Sequence, residues 1–172
     1  MIHHYLLTRF NLALWQEDKN GKVIEREEWL ERRMGLFETY CLPSVMGQIC
    51  RDFIWILLVD EETPAAYREQ IKAYRLLCPQ IHFVVVKLQY AFHFADVFRQ
   101  VVMVDLQKKV FHEGDLCLTT YLDNDDCIAK TFVEMVQAEC LRFNLQPNEK
   151  RFLSLGSKIG RAVQQECRDR YR

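Results

Sequence analysis

The stretch FIWILLVD, residues 53–60, decides the fold. Seven consecutive apolar residues leave no face for water, and the run is far too short to cross a bilayer, so it reads as a strand buried on both sides, as in a parallel sheet covered on each face. IHFVVV at 81–86 repeats that signature, and LCLTTYL at 116–122 and the apolar run at 4–10 supply two more strands. Helices fit between them. Thr63-Pro64 suits a helix start, Thr as N-cap and Pro at the first helical position, and that helix runs to about 78, where Pro79 ends it. Further helices are predicted over 96–109 and from about 128 to 143. From Glu27 the residues Trp29, Leu30, Met34, Phe37, Tyr40 and Cys41 recur at three- and four-residue steps on one helix face. Pro43 is expected to interrupt that helix, with Pro43-Ser44 opening a shorter one to about 50. QEDKNGK at 16–22 reads as a loop, and 152–155 as a short final strand.

Strands alternating with helices imply right-handed crossovers, hence an α/β fold with a mostly parallel sheet and helices on both faces. In such sheets ligands bind beyond the carboxyl ends of the strands. Arg9 with Asn11, Asp60, and the cluster Asp123-Asn124-Asp125-Asp126 stand at those ends.

The chain of 172 residues, 49% apolar, is large enough for one substantial core. Lys and Arg number 23 against 24 Asp and Glu, a balance that argues against a general nucleic-acid binder. The charge is uneven: residues 1–149 carry a net −6 and residues 150–172 a net +5. Seven cysteines without a C-x-x-C pair indicate neither a disulfide framework nor a zinc site, and a reducing cytoplasm is the expected setting.

If strand alternation persists past residue 122, Asp123 and Asp125 project to one side, and two converging carboxylates suit a hard cation such as Mg²⁺ or Mn²⁺ that keeps places for substrate phosphates. The competing reading has Asp125 or Asp126 capping the helix expected near Ile128. Arg9 could pair bidentately with a phosphate or sit in a surface ion pair. Asp60 could equally be a turn residue heading DEETP. Arg32 and Arg33 are expected on a solvated helix face. P-loop, dinucleotide, EF-hand and nucleophile-elbow patterns are absent from the sequence.

LTRFNL at 7–12, WLERRMGLFETYCLPSVMGQ at 29–48, DFIWILLVDEETP at 52–64 and TTYLDNDDCIAKTFV at 119–133 together resemble the bacterial family of putative rhamnosyltransferases. The resemblance implies a Rossmann-like, GT-A type nucleotide-sugar binding domain over residues 1–149 that takes a nucleoside-diphosphate sugar. It assigns Asp125 to direct metal contact, Asp123 to the ribose or a metal-bound water, and Asp126 to a weaker ligand role. It places Asp60 near the nucleobase or ribose; Arg9 and Asn11, at the end of the first strand, are candidates for the same donor site by their position. The implied cofactor is Mn²⁺ or Mg²⁺. The sequence departs from the family where Tyr121 replaces a basic residue, and in the short stretch after Asp126, where an acceptor-binding half and its catalytic base would lie; no catalytic residue is assigned.

The expected activity is metal-dependent glycosyl transfer, rhamnosyl in surface glycan assembly, to a saccharide or lipid-linked acceptor. The alternative is a truncated, non-catalytic nucleotide-sugar binding module that works with a partner chain. Residues 150–172 read as a basic helical tail, and contact between it and the inner face of the membrane is the sharper of its two readings, a solvated end the other.

Overall fold

The computed structural model describes residues 1–12, 23, 25–110, 112 and 114–142. The expected loop at 16–22, the final strand at 152–155 and the basic tail at 150–172 lie outside the described residues. The chain divides into two compact bodies, one formed by Met1–Ala13 and Ile49–Asn124, the other by Leu14–Gln48 and Asp125–Arg172.

The first body holds the sheet. Its strands are β1 (Ile2–Arg9), β2 (Ile54–Asp60), β3 (Ile81–Val86) and β4 (Leu116–Tyr121), all parallel, in the order β3-β2-β1-β4. The apolar run at 53–59 becomes β2, an interior strand in which Trp55 through Val59 are sealed from solvent. Two helices of this body cross over between strands, α3 (Ala65–Ala73) from β2 to β3 and α4 (Phe94–Gln107) from β3 to β4. The two crossovers run in opposite directions across the sheet. Right-handed connections therefore set α3 and α4 on opposite faces, as the α/β reading requires.

On the α4 face, Tyr5 and Leu7 of β1, Ile56 and Leu58 of β2 and Val86 of β3 pack with Phe98 and Val102 of the helix. The strand residues alternate and the helix residues recur every four positions, so each period presents one apolar surface to the other. The helix is entered through a 3₁₀ segment, Leu88–His93, two residues earlier than the sequence suggests. In the stretch 90–94 Ala91 joins the core and Phe94 packs against it, while Tyr90 and Phe92 remain exposed.

At the start of α3, Thr63 does not cap. Its hydroxyl accepts a hydrogen bond from Asn11 Nδ2 (2.7 Å), and Pro64 takes the cap position instead.

The second body contains α1 (Arg26–Leu36), α2 (Leu42–Met46) and α5 (Phe132–Arg142). Pro43 does not interrupt the first helix as expected. The chain passes from α1 to α2 through a π-helical turn, Phe37–Cys41, in which the Leu42 N–H bonds to Phe37 O. One wider turn gives the proline ring room and leaves its missing N–H without consequence.

The last helix starts at Phe132 and not near 128. Among the described residues no helix is long and apolar enough to cross a membrane, and none of the six described cysteines, Cys41 to Cys140, is in a disulfide.

Candidate functional site

Strand order reverses at β1: the chain moves outward through β2 and β3, then returns to place β4 on β1's other side. The splayed connections at such a switch point open a crevice beyond the carboxyl ends of the two strands. Here those ends are Arg9 and Tyr121.

Buried polar groups fix that edge. Trp55 Nε1 donates to Thr8 Oγ1 (2.9 Å), and Thr8 in turn donates to Leu122 O (2.8 Å). Asn124 Nδ2 donates to Phe10 O (2.8 Å), which ties the segment after β4 to the segment after β1. Because a buried amide without a partner is costly, each bond holds its segment to one geometry.

Asn11 is buried, and its side chain is engaged on both sides: Nδ2 donates to Thr63, and Oδ1 accepts the Asp60 N–H (3.0 Å). Asp60 is buried as well, and its Oδ1 accepts the Glu62 N–H (2.8 Å), the local turn bond that the DEETP reading anticipates. Glu61 completes the lock, accepting the Leu88 N–H on Oε1 (2.7 Å) while its own N–H bonds Val86 O (3.0 Å). Asn11 and Asp60 thus tie the segment after β1 to the end of β2 and the turn that follows it.

Two of the sequence-selected residues face water at this edge. Arg9 is exposed, its guanidinium 4.7 Å from the centre of the Phe94 ring. Asp123 is exposed two residues past β4. Leu7 pairs with Tyr121 in the ladder, so continuing the register sets Asp123 level with Arg9. The backbone positions of Arg9 and Asp123 thus stand at one level of this edge.

In the second body, Asp125 forms an ion pair with Arg33 of α1, each side chain only 11% exposed. The Arg33 guanidinium also lies over the Trp29 ring, 5.1 Å from its centre. This corrects two expectations. Arg33 is not on a solvated face, because its position three residues after Leu30 and four before Phe37 puts it on the apolar stripe. Nor does Asp125 or Asp126 cap a helix, because α5 begins six residues beyond Asp126.

That cap comes from a residue that sequence reasoning missed. Gln48 Oε1 accepts the Val133 N–H (3.0 Å), and its Nε2 donates to Ala129 O (2.8 Å) and Ser44 O (2.9 Å). Ser44 Oγ holds the Ile128 N–H (3.2 Å). Ile128 and Ala129 are thus held by Ser44 of α2 and by Gln48 just beyond it, and Asp126 nearby is half-buried.

Among the described residues no three His, Cys, Asp or Glu side chains group as a metal cage. A hard cation that keeps positions for substrate phosphates needs only one or two carboxylates, and Asp123 fits that demand.

The family model described as "Putative rhamnosyl transferase" matches residues 4–166. No curated protein and no solved structure matches the chain.

Proposed function

The chain belongs to the putative rhamnosyl transferase family, and on that premise we propose that it is a GT-A type glycosyltransferase drawing on a nucleoside-diphosphate sugar. The observation that carries this reading is the switch point between β1 and β4, where Arg9 and Asp123 are exposed on a rigid edge. The family description suggests rhamnosyl as the sugar. The acceptor would be a saccharide or a lipid-linked glycan.

Breaking the bond between the anomeric carbon and the phosphate oxygen leaves negative charge on the departing diphosphate. Arg9 would pair with it through two parallel N–H donors. Asp123 would hold Mn²⁺ or Mg²⁺, which supplies Lewis-acid stabilisation of that charge when bound. Asn11 would hold the segment that follows Arg9 against the end of β2 at Asp60. Asp125, whose Oδ2 pairs with Arg33, and Asp126 remain further candidate ligands.

The test is a thermal-shift panel of uridine and thymidine diphosphates and their sugars, with and without Mn²⁺. A ligand at 100 times its Kd should stabilise the fold by about 2.7 kcal/mol. Asp123→Asn should abolish the Mn²⁺-dependent part and spare the rest. No response to any nucleotide would overturn the proposal. Binding without sugar transfer to any acceptor or donor hydrolysis would favour the non-catalytic binding module.

A further inference from the structure

The same edge carries a feature that the donor reading does not use. Tyr121, the last residue of β4, is 62% exposed although its ladder partner Leu7 is buried. Its ring meets that of Phe98 at 81° with centroids 5.8 Å apart. Phe98 itself is buried in the α4 core. A perpendicular contact of this kind leaves at least one π-face of the tyrosine open, while the anchored partner fixes the direction in which it looks.

One helical turn earlier on α4, Phe94 supports the Arg9 guanidinium in the same manner. Two aromatic rings at i and i+4 of one helix thus brace two side chains on adjacent strand ends. Because Leu7 is Tyr121's ladder partner, Arg9 lies two residues further along β1 on the same face. Two strand steps and one strand spacing separate their Cα atoms by roughly 8 Å. A ribose bridging a base and its first phosphate covers a comparable span.

We propose that Tyr121 is the stacking platform for the donor's nucleobase, with Arg9 receiving the phosphate that follows. The inference rests on the nucleotide-sugar reading and adds to it the group that recognises the base. A π-face accepts any base, so Tyr121 contributes affinity, and discrimination among bases falls to other groups.

The experiment titrates three probes into wild type, Tyr121→Phe, Tyr121→Ala and Arg9→Gln. The probes are the nucleoside diphosphate that wild type binds best among those of uridine, thymidine and guanosine, the matching nucleoside diphosphate sugar, and inorganic diphosphate. Tyr121→Ala should weaken the nucleoside diphosphate on the order of tenfold, the effect of one lost stacked base, and the sugar nucleotide equally. It should leave inorganic diphosphate unchanged, and Tyr121→Phe should match wild type. Arg9→Gln should weaken all three probes. Wild-type nucleotide affinity in Tyr121→Ala would overturn the inference while the donor reading stands, as would a loss confined to the sugar nucleotide, which would move the ring to the sugar. Wild type that binds no nucleotide would overturn both.

Discussion

Replacing Asp125 by asparagine removes the charge facing Arg33 and keeps the shape. With both side chains nearly buried, the guanidinium is left with weaker compensation for lost water, and the fold should lose about 1–3 kcal/mol. A lower urea midpoint with an unchanged m-value would show it. Equal stability of the two proteins would mean that the pair is not made in solution. A capping aspartate, by contrast, would tolerate the change. The partnership was half legible. Arg33 falls on the stripe marked by Leu30, Met34 and Phe37, a position at which a charged residue calls for a partner, but nothing in the spacing points to a carboxylate 92 residues later. Asp60 shows the reverse, since both its turn role and its strand-end position could be read from DEETP.

The strands were the most legible elements, because an unbroken apolar run of six or seven residues has few other homes. The sequence places β3 at 81–86 without error, and β2 within one residue. Helix α5 was misplaced by four because Ile128 and Ala129 extend its apolar pattern, although Thr131 and Glu134 stand at the spacing of a capping box. Its true start depends on Gln48, whose partners Ala129 and Val133 lie more than 80 residues away. Gln48→Ala should therefore expose an unpaired Val133 amide, cost about 1–3 kcal/mol and speed hydrogen exchange in the first turn of α5. Exchange rates equal to wild type there would contradict the remote cap.

For the molecule as a whole, acid should be destabilising in two stages. His4, 2% exposed on β1 with its Nε2 2.9 Å from Thr120 Oγ1, has its pKa lowered by burial to about 4. The unfolded chain takes up that proton first, near the ordinary value of 6.5, so stability is full above pH 6.5 and falls as pH drops toward 4, by on the order of 3 kcal/mol. His4→Gln should flatten that part of a stability-versus-pH curve, and an unaltered slope would refute the assignment. Below it lies Asp105. Burial pushes its carboxyl up, but hydrogen bonds from Lys109 and Tyr5 outweigh that and hold it below 3.8, so its contribution is lost only in stronger acid. The bonds between His4 and Thr120, between Thr8 and Leu122 and from Asn124 to Phe10 all join β1 and the residues just after it to β4 and the residues just after it. On the ribosome β1 is made first, yet its second neighbour emerges about sixty residues after β2 is complete. At 5–20 residues per second, one flank of the future central strand stays an open edge for roughly 3–12 s, the interval in which a nascent chain of this topology is most exposed to pairing with the wrong strand.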